Sequence, residues 1–184
     1  MGLDNSLDVQ NFIERHPMVL ELRQSGKFFE SKGYEDYPQH IRHMNLTAGP
    51  LTGPQKISVA PYVFTERAGG GLIVIFYLGT HVAGYPGIVH GGLLATILDE
   101  GLGWSCFPSL PGKAGATVSL TVDYQSPMPT GSFGVLRAWT TSVVERKAWA
   151  EGFIETLPAE GAPVIVAKAR ALFVEPSQRT LMTR

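Results

Sequence analysis

The residue types that can do chemistry crowd into one stretch, residues 85–107, which reads YPGIVHGGLLATILDEGLGWSCF. His90, Gly91 and Gly92 stand in a row behind Pro86 and Gly87, which break any preceding strand. After them Leu93, Leu94, Ala95, Ile97, Leu98, Leu102 and Trp104 cover almost every face of a helix, which marks that helix as buried. The first four N–H groups of a helix lack an intrahelical partner, and the macrodipole adds partial positive charge there. Without a Cβ, Gly91 and Gly92 let a carbonyl oxygen approach those amides closely. The result is an oxyanion-type site, in which one donor typically contributes about 10² to 10³ in rate.

Asp99 follows Gly92 by seven residues, which is two turns at ~3.6 residues each and ~10 Å along the axis. It shares that face with Thr96. A carboxylate there can orient or deprotonate a water aimed at a carbonyl near Gly92, help worth about 10² to 10⁴. Two plainer readings compete: Gly-Gly also simply starts helices after tight turns, and Asp99 can pair with a neighbouring lysine. Glu100 is rotated by about 100° and is expected at a solvent gap or beside a basic partner.

Other candidates are poorer. No Gly-x-Ser-x-Gly elbow surrounds Ser105. Cys106 with His90 would make a thiol nucleophile, but a cysteine closing an apolar helix reads as core. His81 is a candidate binding residue that can equally cap a turn. His40 and His43 lack a third ligand at metal spacing, so no metal or other cofactor is expected. Neither a P-loop nor a dinucleotide fingerprint occurs. A net charge of −1 gives no general attraction to nucleic acid, and no apolar run is long enough to span a bilayer. With one cysteine and no visible signal or transit peptide, a cytoplasmic location is expected.

The flanking chain must supply the scaffold. Residues 1–55 read as an extension, with short helices from Val9, Phe12, Ile13, Val19, Leu20 and Leu22 interrupted by Pro17, then an irregular stretch over 31–54. Strands are expected over 57–66 and 72–78, joined at Gly69-Gly70-Gly71. After the helix, residues 117–124 alternate, with Val118, Leu120, Val122 and Tyr124 on one face and Thr117, Ser119, Thr121 and Asp123 on the other. Three more strands follow over 133–144, 148–157 and 162–174, within a main domain of residues 56–176, and a polar tail closes the chain at 177–184. This order predicts an α+β domain: one long helix across the concave face of a curved antiparallel sheet of about six strands. So apolar a helix is also expected near a subunit interface.

The segments GYPGIVHGGLLATILDEGLGW and ATVSLTVDYQSPMPTG, the second starting about two dozen residues after Gly92, resemble the hot-dog fold acyl-CoA thioesterases. The nearest branch is the phenylacetate-pathway type with the eukaryotic thioesterase-superfamily members, and the resemblance covers roughly residues 56–175. It implies hydrolysis of an acyl-CoA to free acid and CoA, a place in lipid metabolism, and a homodimer or tetramer with sites between subunits. By position it makes Gly92 the amide that polarises the thioester carbonyl, with Gly91 and His90 completing that loop. Asp99 becomes the general base or nucleophile. Thr117, supplied by the partner subunit, orients the water, and Ser119 stands where some relatives carry Asn. Gln125 replaces a common Lys or Arg after the tyrosine, which turns attention to Arg137, Arg146 and Lys147 for the CoA phosphates. A non-catalytic acyl-CoA-binding protein and a hydratase or dehydratase are the alternatives; His90 precedes Asp99 by nine residues, which disfavours the latter.

Overall fold

The computed structural model describes residues 5–35 and 37–177. The expected polar tail therefore lies, beyond residue 177, outside the described residues. Helix α1 (Ser6–Arg15) starts at Asn5, whose side chain accepts from the Leu7 N–H. Pro17 opens α2 (Pro17–Gln24), where its missing N–H costs nothing. Strand β1 (Phe28–Lys32) and the short α3 (Gln39–Arg42) follow. Next come β2 (Tyr62–Glu66), β3 (Gly71–Leu78) and a ribbon of β4 (Ala83–Tyr85) with β5 (Ile88–Val89). The central helix α4 (Gly91–Cys106) leads to β6 (Ala116–Tyr124), β7 (Ser132–Val144), β8 (Lys147–Thr156) and β9 (Ile165–Val174).

Seven strands form one antiparallel sheet in the order β1-β2-β3-β7-β8-β9-β6. That order explains why α4 lies across the sheet. After β3 the chain must reach β6, four strand spacings away or ~19 Å at ~4.8 Å each, and sixteen helical residues cover ~24 Å. Leu93, Leu94, Leu98, Leu102 and Cys106 of α4 pack on Val74, Phe76, Leu136, Ile154 and Phe173 of the concave face. The helix approaches β7 so closely that a Cβ on Gly101 would collide with the Leu136 side chain.

The sequence expectation differs from the structure at the extension. β1 is a seventh strand, pairing Phe28 with Glu66 through Lys32 with Tyr62. Its five residues, FFESK, are too few and too exposed to show a period. Val9, Ile13 and Val19 of α1 and α2 pack on Phe64, Ile73, Ile75, Tyr77, Phe133 and Val135 of the convex face. β3 is thus buried on both faces, which accounts for its unbroken apolar run.

Candidate active site

The start of α4 is held on three sides. The His90 N–H donates to the Val82 carbonyl and the Val89 N–H to that of Met128, which tie the loop before the helix to its surroundings. His90 is the N-cap: its Nδ1 accepts from the Gly92 N–H at 2.9 Å. The ring occupies the space a side chain would need at Gly92, where a Cβ would lie 2.9 Å from His90 Cε1. From the other side the Tyr124 hydroxyl donates to the Gly91 carbonyl at 2.7 Å.

This geometry corrects which amide is open. Gly92, expected as the oxyanion donor, already spends its N–H on His90. The Gly91 N–H has no acceptor among the described residues. It borders a cleft of about 550 Å³ whose walls include His90, Leu94, Tyr85, Tyr124 and Ser126. Helix N–H groups point toward the N-terminus, so the open donor faces out of the helix end.

Two turns on, Thr117 Oγ1 donates to Asp99 Oδ1 at 2.8 Å. Simple alternation places Thr117 on the same face as Ser119, but the β6–β9 register shifts between them. Thr117 pairs with Phe173, Ser119 pairs with Leu172, and Val118 is the extra residue. Phe173 belongs to the core against α4, so the bulge turns Thr117 toward the helix, as bulges beside functional groups often do. The contact is made within one chain, whereas the resemblance had implied Thr117 from a partner. Ser119 goes the other way, lying with Thr121, Glu151 and Arg170 on the convex side of the sheet, away from Asp99.

Several other expected residues do not join the site. His81 is exposed on a short turn, its backbone N–H donating to the Gln55 carbonyl, and its side chain does not line the cleft. Thr96 returns its hydroxyl to the Gly92 carbonyl at 2.9 Å. Cys106 is buried at the far end of α4, and burial pushes its thiol up to about 11, which leaves it a poor nucleophile. Arg137 is engaged by Glu155 at 2.8 Å, and Arg146 donates to the Glu175 carbonyl. His40 and His43 sit exposed at α3.

Glu100 is partly buried and pairs with no cation among the described residues. Thr47 Oγ1 donates to one of its oxygens at 2.7 Å and the Tyr34 hydroxyl to the other at 3.1 Å. Burial holds this carboxyl above its ordinary range and pushes the Tyr34 phenol up as well. Both partners come from the extension, whose irregular sequence carries no signal that it would reach the central helix.

Comparison with known proteins agrees with this architecture. The thioesterase superfamily profile matches residues 86–151, the span from the α4 loop into β8. An uncharacterized protein of Schizosaccharomyces pombe is 34% identical over 90% of this chain and 91% of its own. An uncharacterized mitochondrial protein of Candida albicans is 35% identical over 76% of this chain and 64% of its own. The acyl-coenzyme A thioesterase THEM4 of Rattus norvegicus is 29% identical over 61% of this chain and 46% of its own. Among solved structures, a thioesterase superfamily protein is 30% identical, with a TM-score of 0.55 over 73% of this chain and 61% of that one. A helix capped by His90 and laid across an antiparallel sheet, the profile on its central residues and a relative similar along nearly the whole length together establish that the chain belongs to the thioesterase superfamily and has its hot-dog fold.

Proposed function

We propose that the protein hydrolyses an acyl-CoA thioester to a carboxylic acid and CoA. The observation that carries this reading is the bulge in β6 that brings the Thr117 hydroxyl onto Asp99. A module that only binds acyl-CoA has no use for a carboxylate with one oxygen fixed by a hydroxyl and partly open to solvent. Asp99 takes a proton from water as the water oxygen bonds to the thioester carbon. The carbonyl electron pair moves to oxygen, where the Gly91 N–H stabilises it. On collapse the C–S bond breaks, the thiolate receives the proton, and the carboxylic acid leaves. These steps run on protein groups and water.

Gly91 and Asp99 of one chain are poorly placed to share a carbonyl. They are eight residues apart, or ~12 Å along the axis, and a carbonyl on the Gly91 N–H lies beyond the helix end. We therefore assign each site to two copies, Gly91 from one and Asp99 with Thr117 from the other. β6 supports this as an edge strand presenting Val118 and Tyr124 at 60% and 53% exposure. The mitochondrial relative supports an organelle rather than the cytoplasm as the place to seek the substrate. The test is thiol release from acyl-CoAs of graded chain length; a protein that binds them and releases no thiol refutes the hydrolase reading.

A further inference from the structure

We propose that Tyr124 is a positioning residue that, with His90, clamps the Gly91–Gly92 peptide and so fixes the Gly91 Cα, which steadies the preceding peptide group that carries the open Gly91 N–H and whose carbonyl accepts from the Leu93 and Leu94 N–H groups; its effect on turnover rests on the hydrolase reading above. Both polar ends of that one peptide group are taken. Its oxygen accepts from the Tyr124 hydroxyl at 2.7 Å, and its N–H donates to His90 Nδ1 at 2.9 Å. Rotating the peptide plane breaks both bonds at once.

Such a clamp answers a difficulty in the local sequence. Two glycines at a helix start have the greatest backbone freedom of any pair, and α4 has no acidic residue in its first turn to steady it. Yet glycine is needed at Gly92, where the His90 ring leaves no room for a Cβ. An oxyanion donor works by being oriented before the reaction, so freedom there opposes catalysis. Tyr124 removes it from outside the helix. As the last residue of β6 it faces α4 like Leu120 and Val122. Its ring passes 3.5 Å from where a Gly91 Cβ would stand, so the hydroxyl reaches the carbonyl beyond. β6 thereby touches the helix at both functional points, Thr117 on Asp99 and Tyr124 on Gly91.

The experiment compares the wild type with Tyr124→Phe, which keeps the ring and removes the hydroxyl, by amide exchange at Gly91 and Gly92 and by steady-state kinetics. Faster exchange at the Gly92 amide is expected, together with a fall in kcat of about tenfold, the size of one hydrogen bond's contribution. KM and the thermal midpoint are expected to stay close to wild type, a split that a general structural role does not produce. Unchanged exchange at Gly92 overturns the clamp whether or not the protein is a hydrolase. Faster exchange with wild-type kcat overturns its catalytic role. A wild type that releases no thiol instead defeats the hydrolase reading, and the exchange measurement still decides the clamp.

Discussion

The Thr117 hydroxyl reaches Asp99 Oδ1 at 2.8 Å because Val118 is an extra residue in the β6–β9 ladder. The pair is a carboxylate with one oxygen fixed and the other left for water. Asp99→Asn keeps the shape and removes the base, so kcat is expected to fall by about 10² to 10³, within the range for general-base catalysis. Thr117→Val removes only the hydroxyl and is expected to cost less, about tenfold, while Thr117→Ser keeps most activity. Thiol release by the three variants, with melting curves to confirm folding, checks this. Wild-type turnover by Asp99→Asn would remove the mechanism.

A site drawn from two copies makes a separate demand. Gly91→Val blocks approach to the open amide, and Asp99→Asn removes the base, so each variant alone is expected to be nearly inactive. Mixed after unfolding and refolding, hybrid dimers contain one site built from the intact Gly91 of one chain and the intact Asp99 of the other. Activity is expected to return to about a quarter of wild type, since random pairing makes half the dimers hybrids and each hybrid has one good site of two. If Gly91 and Asp99 of the same chain work together, mixing restores nothing.

Glu100 gives a pH dependence whose sign follows from its surroundings. Burial raises its pKa above the ordinary 4.5, so the folded state retains a proton that the unfolded chain has released. Between 4.5 and the raised value the native state binds more protons, and stability must fall as pH rises through that window. The hydroxyls of Thr47 and Tyr34 that donate to this carboxyl favour its charged form, and burial outweighs them. Glu100→Gln is expected to flatten the fall, so that its thermal midpoint exceeds wild type above the window and the curves converge in acid. Parallel midpoints from pH 4 to 8 would show that Glu100 is not the titrating group.

What could be read from the chain depended on how local the signal was. The α4 pattern, the doubly buried β3 and the alternation of β6 are properties of consecutive residues, and each element lies where its pattern put it. The site was legible to the extent that Asp99 and the helix start lie in one segment. Thr117 came from resemblance, because alternation alone placed it with Ser119, and a one-residue bulge leaves no mark in VSLTVDY. The choice between Gly91 and Gly92 was hidden for a similar reason: it turns on the rotamer of His90. The grip of Tyr34 and Thr47 on Glu100 spans more than fifty residues and joins segments with no shared period.

Gly91 and Gly92 are adjacent and chemically identical, yet the structure separates their tolerance. A Cβ on Gly91 would meet the Tyr124 ring at 3.5 Å, an ordinary contact, whereas one on Gly92 would stand 2.9 Å from the His90 ring. Gly92→Ala must therefore move the ring that caps the helix, with an expected loss of about 1 kcal/mol in stability as well as lower activity. Gly91→Ala is expected to fold with near wild-type stability, helped by alanine's lower backbone entropy in a helix. Its methyl group narrows the approach to the open amide, so kcat is expected to fall while the melting curve does not. Chemical denaturation and turnover of the two variants separate these outcomes. Equal stability losses would mean that His90 does not hold Gly92 in solution, and undiminished turnover by Gly91→Ala would show that a methyl group there does not obstruct the approach to the amide.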